Sequence, residues 1–339
     1  MLPPSAGRRE PAAAGCRARR GAAPPGSRYT RATMTVKQHP EIIIQARRGG
    51  TVESMHCAVA ALAAPDGEIV ERWGDPGMVT FWRSSAKPFQ AQAWLDDGTV
   101  ERFGWGAEQL AIMSASHDGL DFQAGLVRSM LADLGLSEAD LRCDSKLKAR
   151  HNCSGNHTGF LAASVHHGWD IPTYQQSDHP AQEAALQMFA ACVGLDPRQI
   201  PTAVDGCGVV CYATPVTVAA ATFALMPDLL PEISAAMRAH PALVEGPGWI
   251  DTLVMQTIPG ATSKCGAEGL SCVSLPDGRG LAVKVVDGAD RASDPATVAA
   301  LTAVLGADAI AEPLRAKGRP PLTNDAGDAV GELLGVAPT

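Results

Sequence analysis

Residues 42–62 read IIIQARRGGTVESMHCAVAAL, and the fold prediction starts from them. Two apolar runs, 42–45 and 57–62, have the length and composition of strands, and the turn-prone Arg48-Gly49-Gly50 lies between them. This pattern predicts two strands at the N-terminal edge of a sheet. Asp66-Gly67 then predicts a hairpin turn into a further strand over residues 68–73.

The rest of the chain combines helical patterns with a late pair of strands. Two apolar runs, 269–275 and 280–286, flank the turn-forming residues 276–279. An order of strands, then helices, then strands favours an α/β (α+β) domain over a doubly wound parallel sheet. The predicted helices cover residues 88–96, 107–114, 121–134, 137–142 with Ser137 as N-cap, 157–166, 180–193, 229–239, 249–257 and 293–304.

The first 33 residues differ in composition from the rest. They hold seven arginines and one glutamate among many Pro, Ala and Gly, and they show no apolar periodicity. This composition predicts a disordered tail. The tail lacks the apolar stretch of about 7–15 residues that a secretory signal needs. Met34 is an alternative start, and residues 34–339 are predicted to form a single domain.

Charge and cysteine content restrict the partners and the compartment. The chain carries a formal net charge of −8, and because the tail contributes +6, residues 34–339 carry −14. This excess of negative charge argues against nucleic acid or an anionic membrane as a partner. The nine cysteines form an odd set without regular spacing, which indicates reduced thiols in a cytoplasmic protein. The longest uncharged run, 209–226, is predicted to be a buried core segment.

The first motif that can carry chemistry is residues 83–90, RSSAKPFQ. Ser84 and Lys87 are three residues apart and therefore share one face of a helical turn. In a dry site the pKa of a lysine falls, and its amine can then accept the serine proton while the hydroxyl attacks a carbonyl. The alternative is an ordinary helix start, with Pro88 in the first turn and an exposed Lys87.

A second motif, MSASHDG at residues 113–119, leads from an apolar segment into polar residues. We interpret it as a chain that emerges from the core into a cleft. Ser116 is then a second candidate nucleophile, with His117 beside it. The alternative is a helix C-terminus followed by the cap of the next helix.

Three further polar motifs follow. HNCSGNHTGF, at residues 151–160, precedes an apolar helix whose first turn could bind an anion. In DGCG, at 205–208, two glycines let the backbone approach a ligand and present Cys207 on a tight turn, or form an ordinary turn with a buried thiol. In KCGAEG, at 264–269, Lys264 could be a base for Ser116, could hold a substrate carboxylate, or could be a solvated hairpin lysine.

In order and approximate spacing, these motifs resemble the asparaginase II family, the Rhizobium-type or class 3 L-asparaginases, across nearly all of residues 45–330. The resemblance implies a fold like that of serine β-lactamases and penicillin-binding proteins, in which an antiparallel sheet packs with helices. It also implies a homodimer that hydrolyses L-asparagine to L-aspartate and ammonia. The matching elements are Arg48-Gly49-Gly50, Glu53, His56, RSSAK, SASH, CSG, DHP at 178–180, DGCG, KCGAEG and Lys284 to Gly288 with Arg291-Ala292.

The resemblance further implies two serine–lysine pairs. These are Ser84 with Lys87 and Ser116 with Lys264. In the implied reaction one hydroxylate adds to the side-chain amide, ammonia leaves, and water cleaves the acyl-enzyme. The residues expected to support substrate binding are Arg83, His117, Asp205 and Gly206.

Zinc is expected to be an optional ligand, with no cofactor required. The family is associated with a zinc site made of two cysteines and the lysine of a CSGK motif. Here Cys153 and Cys207 match, but Asn156 replaces the lysine. Because an amide is a poor zinc ligand, water, His157 or another residue would have to complete the tetrahedron.

Two other functions compete with an asparaginase. A β-lactamase-like or penicillin-binding-protein-like acyl hydrolase shares Ser-x-x-Lys, but no Ser-Asp-Asn or Lys-Thr-Gly element stands in the expected places. A catalytically silent sensor of asparagine or metal is the other alternative. The presence of both serines and both lysines favours an enzyme. Glutamine, one methylene longer than asparagine, remains a candidate side substrate.

Overall fold

The computed structural model describes residues 36–338, so the predicted disordered tail, residues 1–33, and the alternative start at Met34 lie outside the described part. The strands are β1 (Lys37–His39), β2 (Ile42–Arg48), β3 (Thr51–Ala63), β4 (Ile69–Trp73), β5 (Val79–Phe81), β6 (Thr202–Val204), β7 (Val210–Pro215), β8 (Thr262–Gly266), β9 (Leu270–Ser274), β10 (Gly280–Val285), β11 (Pro321–Thr323) and β12 (Ala329–Val336). The α-helices are α1 (Lys87–Asp96), α2 (Thr99–Arg102), α3 (Ala107–Met113), α4 (Asp121–Asp133), α5 (Ser154–His167), α6 (Pro180–Val193), α7 (Val216–Leu229), α8 (Pro231–Ala239), α9 (Pro241–Val244), α10 (Ile250–Thr257), α11 (Asp290–Leu305) and α12 (Glu312–Lys317).

The predicted hairpin β2–β3 lies inside the main sheet. Its strand order is β11-β12-β2-β3-β10-β9-β8, and β4 also pairs with β3 and carries β1. The β1–β4 pair is parallel and the others are antiparallel. The placement of β2 and β3 at the edge of the sheet was wrong, because the C-terminal β12 pairs with β2 and the distant β10 pairs with β3. Pairing between segments that far apart in sequence leaves no local signal.

Helices cover both faces of the sheet, as the α/β (α+β) prediction requires. Val59, Ala61 and Ala63 of β3 belong to the apolar cluster on the face that α7 covers. The alternate residues Ala58 and Leu62 belong to the second cluster, on the face that α11 covers. Because successive side chains of a strand point to opposite faces, β3 is apolar almost continuously over residues 57–63. The result is an antiparallel sheet packed between two layers of helices.

The positions of most predicted elements are confirmed, with one informative difference. Instead of a helix over 137–142, the structure has one 3-10 turn, Glu138–Asp140, capped by the side chain of Ser137. The turn does not continue because Leu141 is extended and the backbone N–H of Arg142 donates to the hydroxyl of Tyr174. The predicted core segment 209–226 forms the buried strand β7 and most of helix α7.

No single helix among residues 36–338 is long and apolar enough to cross a membrane. Helices α7 and α8 reach the required length and composition only as a pair, which is bent by 92°.

The turn that carries Ser84 packs directly on strand β8. This 3-10 turn, Arg83–Ala86, leads into α1, and the hydroxyl of Ser85 donates to the backbone oxygen of Lys264 at 2.9 Å. At Gly266 the approach is so close that an added Cβ would lie 2.4 Å from the backbone oxygen of Trp82. Trp82 is itself fully buried in the apolar core. The position of Ser84 is therefore determined by core packing on one side and by β8 on the other.

We expect Gly266→Ala to destabilise the protein, because the new methyl group would collide with backbone that cannot rotate away. Overpacking of this kind costs about 1–3 kcal/mol, which lowers Tm by several degrees in a protein of this size. Thermal unfolding followed by circular dichroism measures the effect. Gly125→Ala is the matched control, because Gly125 lies within α4 with no atom within 4 Å of an added Cβ and the change should be neutral or stabilising. Equal Tm values for the two variants would contradict this packing.

Candidate active site

Ser84 and Ser116 line the same cavity, which has a volume of about 510 Å³. It lies where the turn before α1, the loop after α3, the loop before α10, the end of β8 and the start of α11 meet. Of the other predicted site residues, His117 also lines it. The lining residues are Ser84, Ser116, His117, Asp118, Asn152, Glu245, Trp249, Ile250, Cys265, Gly266, Ala267, Asp290, Ser293 and Asp294.

Lys87 is directed toward Ser116. The side chain is only 4% exposed, and its Nζ donates to Ser116 Oγ at 3.2 Å, to the backbone oxygen of Ala115 at 2.7 Å and to Cys153 Sγ at 3.3 Å. In the described part of the chain, no hydrogen bond joins Lys87 to the hydroxyl of Ser84. The expected pairing of these two therefore differs from the structure, because the long lysine side chain reaches past its own turn to the loop after α3.

Lys264 forms an internal ion pair instead of contacting Ser116. It is fully buried, and its Nζ donates to Asp251 Oδ2 at 3.2 Å and to the backbone oxygen of Cys265 at 2.9 Å. Burial alone would lower the pKa of Lys264, but the neighbouring Cys265, Asp251 and Glu245 outweigh it and raise the pKa above its ordinary value. The structure thus brings Lys264 to Asp251 and not to Ser116, and a role of Lys264 as the base for Ser116 stays a prediction.

Asp251, Glu245 and Cys265 converge around this lysine. Their carboxylate and thiol atoms lie within 4.8 Å of one another. The ammonium group of Lys264, 3.2 Å from Asp251 and 3.8 Å from the Cys265 sulfur, supplies the positive charge of the group. We therefore describe it as an internal ion-pair cluster.

Arg83 and Asp205 support the turn that carries Ser84. Two hydrogen bonds of 2.9 Å join the guanidinium to the two carboxylate oxygens, and this contact with Asp205 raises the pKa of Arg83. Arg83 has a φ of 49°, a left-handed conformation that non-glycine residues adopt only when their surroundings hold them in it. Gly206 follows Asp205, and an added Cβ there would lie 3.8 Å from Arg83 Nη2. These three residues are not among those that line the cavity.

His117 lines the cavity but uses both ring nitrogens inside the protein. Nδ1 accepts a hydrogen bond from the backbone N–H of Gly119 at 3.1 Å, so Nε2 carries the proton and donates to Ser154 Oγ at 2.8 Å. Burial and then the nearby Lys87 lower the pKa of His117 to about 4, which keeps the ring neutral. Its role in this arrangement is to hold the loop that presents Ser116.

Cys153 and Cys207 are in contact behind the serines. Cys153 precedes α5, Cys207 lies on the turn between β6 and β7, and the two thiols are close enough to shift each other's pKa. The pKa of Cys153 is lowered well below its ordinary value, first by the hydrogen bond from Cys207 and then by Lys87. The pKa of Cys207 is raised, first by its contact with Cys153 and then by burial. Cys153 is accordingly the more acidic thiol of the pair.

The residues around these cysteines fit zinc only in part. The side-chain nitrogen of Asn156 donates to Gln90 Oε1 at 3.0 Å, while its buried Oδ1 has no hydrogen-bond partner. His157 bonds the hydroxyl of Tyr174 through Nδ1. The candidate ligands are thus the two sulfurs and His157 Nε2, which is buried without a hydrogen-bond partner, whereas a structural zinc site uses four ligands. The amine of Lys87, 3.3 Å from the Cys153 sulfur, already occupies one position beside that sulfur.

Sequence reasoning missed the far wall of the cavity. Glu245 and Trp249 precede α10, and Asp290 and Asp294 lie in the first turns of α11. The predicted helices over 249–257 and 293–304 were correct, but nothing in their patterns indicated that their N-terminal ends meet at the serines. One signal was available, since Asp251 is a charged residue within the otherwise apolar start of α10, and such a residue is normally paired when buried.

The sequence and the structure were compared with those of known proteins. No curated protein matches the sequence. Among solved structures, Mglu in its native form has a TM-score of 0.39 at 14% identity, over 67% of this chain and 59% of that one. The chain thus spans about three fifths of the Mglu structure. A β-lactamase from Mycobacterium bovis has a TM-score of 0.35 at 16% identity, over 73% of this chain and 94% of that one.

The family model described as L-asparaginase II matches residues 44–334. That range runs from β2 to β12 and includes the cavity with every residue that lines it. With most of its length matched, this chain belongs to the L-asparaginase II family.

Proposed function

We propose that the protein hydrolyses the side-chain amide of L-asparagine to L-aspartate and ammonia. Membership of the L-asparaginase II family supports an amidohydrolase. The observation that carries the proposal is the 3.2 Å contact between Lys87 Nζ and Ser116 Oγ at a cavity that Ser84 also lines. A hydroxyl within hydrogen-bonding distance of a buried amine is the arrangement that activates a serine for attack on a carbonyl.

In the proposed reaction Lys87, as the free amine, takes the proton of Ser116 while Ser116 Oγ adds to the amide carbon. The new ammonium group then protonates the amide nitrogen, the C–N bond breaks, and ammonia leaves an aspartyl ester on the serine. Water, deprotonated by the same amine, cleaves the ester. The backbone oxygen of Ala115 and the sulfur of Cys153 stabilise the ammonium form of Lys87, and so they favour each proton uptake.

Ser84 is the alternative nucleophile, because its hydroxyl lines the same cavity. The remaining predicted catalytic group, Lys264, has a different role in this mechanism. As the charged partner of Asp251 it neutralises a buried carboxylate and fixes the start of β8, against which the Ser84 turn packs. Arg83 and Asp205 hold that turn from the other side.

We propose a cytoplasmic protein that acts on a small molecule and not on nucleic acid or a membrane. The cysteines of the described residues are free thiols, which suits a reducing compartment. The net charge of −8 disfavours binding to nucleic acid or to an anionic membrane, because both are negatively charged. A homodimer is proposed from the family resemblance alone.

The substrate is tested by measuring ammonia release from L-asparagine and L-glutamine and colour release from nitrocefin. We expect L-asparagine to be the best substrate, with kcat/KM for glutamine lower by about 10- to 200-fold, as one extra methylene implies. Hydrolysis of nitrocefin at a comparable rate would instead favour a β-lactamase-like acyl hydrolase. Binding of asparagine without turnover would favour the sensor.

We expect Ser116→Ala and Lys87→Met each to lower kcat/KM for asparagine by about 10²- to 10⁴-fold, the usual contribution of a nucleophile–base unit. The double variant should lose little more than either single one, because the two residues act together. Lys37→Met is the control, since the Lys37 side chain is exposed and is not among the residues that line the cavity. If Lys87→Met kept more than a tenth of the activity, or if Ser84→Ala alone abolished it, the assignment of Ser116 and Lys87 would be wrong.

We expect most of the activity to survive treatment with a strong zinc chelator. The two sulfur ligands are too few for tight binding, and no proposed step involves the metal. Chelation followed by assay with asparagine, with zinc content measured by atomic absorption, tests this. Loss of activity on chelation that is restored by one equivalent of zinc would show that Cys153 and Cys207 hold a required ion.

A further inference from the structure

The walls of the cavity carry negative charge only. Among the described residues that line it, Asp118, Glu245, Asp290 and Asp294 are acids and none is a lysine or an arginine. Behind the walls, Lys264 pairs with Asp251, Lys317 Nζ lies 3.7 Å from Asp294, and the Lys87 amine contacts Ser116. A ligand that fills this space therefore meets acceptors for a positive group.

Glu245 differs from the other three acids because it is buried. Its side chain is 8% exposed, yet it belongs to the cavity wall. Oε2 accepts the backbone N–H of Asp251 at 2.8 Å, and Oε1 accepts the thiol of Cys265 at 3.4 Å. Two fixed donors hold the carboxyl group in place, and a carboxylate can accept about four hydrogen bonds. Acceptor capacity is left for a ligand.

Glu245 also lies beside the proposed nucleophile. The backbone oxygen of the preceding residue, Val244, accepts the backbone N–H of Ser116 at 2.8 Å. This bond joins the loop that carries Glu245 to the loop that carries Ser116. A substrate whose amide carbon lies at Ser116 thus places its neighbouring atoms against Glu245.

We propose that the carboxylate of Glu245 binds the α-ammonium group of the substrate, and that this contact selects amides that carry an α-amino group over amides that lack it. The inference rests on the proposed function and goes further by assigning the group that recognises the amino end of the substrate. Glu245 is then a specificity residue that touches the substrate without taking part in bond breaking.

The electrostatics of the free protein agree with this role. Burial, followed by the charge of Asp251, raises the pKa of Glu245 to about 8, and Lys264 only partly opposes them. The charged or titratable groups that face it are Asp251 and Lys264 of the ion-pair cluster, Cys265 of β8, Asp294 of α11, and Asp118, His117 and Asp290 in the cavity wall. A carboxyl group that stays protonated in the empty cavity can ionise when an ammonium group arrives.

The first test measures binding without turnover. Isothermal titration calorimetry compares L-aspartate with succinate, which differs only in lacking the amino group, in the wild-type protein and in Glu245→Gln. Glutamine can still accept the N–H of Asp251, so the loop should fold. We expect Glu245→Gln to weaken the binding of aspartate by about 10- to 100-fold, as for the loss of a hydrogen bond between charged groups. The affinity for succinate should change by less than threefold. Equal changes for both ligands, or no change, would overturn the proposal.

The matched control is Glu312→Gln, which removes one negative charge from a side chain that is 78% exposed on α12. It should leave both affinities as in the wild type. If Glu312→Gln weakened the binding of aspartate as much as Glu245→Gln does, the effect would come from net charge and not from a direct contact, and the proposal would fail.

A pH series adds a signature that a purely structural role would not produce. Because the free carboxyl group is protonated below about pH 8, affinity for aspartate should rise as pH increases from 6 to 8, by up to about tenfold per unit. The rise should be absent for succinate and for Glu245→Gln. A rise of the same size for succinate would contradict the role of Glu245.

Turnover separates this inference from the proposed function. Ammonia release from L-asparagine is compared with release from succinamate, the same amide without the amino group. If the wild-type protein hydrolysed neither amide but bound aspartate in a Glu245-dependent way, the proposed function would fail and the inference would stand. If it hydrolysed both equally well and Glu245→Gln did the same, the inference would fail and the amidohydrolase would stand.

Discussion

The contact of the Lys87 amine with Ala115, Ser116 and Cys153 is the interaction on which the site depends. Its three partners lie at the end of α3 and at the start of α5, while the lysine begins α1. One buried side chain therefore holds three segments in register. Burying an amine requires that its donors find acceptors, and one of the acceptors here is the hydroxyl of Ser116, the proposed nucleophile.

Close backbone approach allows this arrangement to form. Gly266 lets β8 lie against the turn of Ser84, and Gly155 lets α5 approach the backbone oxygen of Ile112 in α3, where an added Cβ would lie 2.1 Å away. Gly280 lets α7 press on β10 in the same way. Each contact brings a helix or turn within a distance that any side chain would prevent. The glycines of the chain thus have a packing function here in addition to forming turns.

Charge balance shapes the rest of the site. The buried Lys264 neutralises Asp251, and the amine of Lys87 lies beside the Cys153 sulfur. Arg83 and Asp205 form a further ion pair, which is more exposed to solvent. Glu245 is the buried acid whose surroundings favour the neutral form. A cavity assembled in this way is prepared for a ligand that supplies the missing positive charge.

The sequence by itself determined the class of fold, most helix and strand positions, and the set of motifs that supply Ser84, Lys87, Ser116, Cys153 and Cys207. Alternation, turn residues and caps are local, so they can be read from neighbouring positions. Only the tertiary structure decided which partners meet. It brought Lys87 to Ser116 and Lys264 to Asp251, inserted β12 beside β2, and placed Glu245 in the cavity. These outcomes depend on contacts between distant segments and on how far a side chain extends, and neither leaves a pattern in the local sequence.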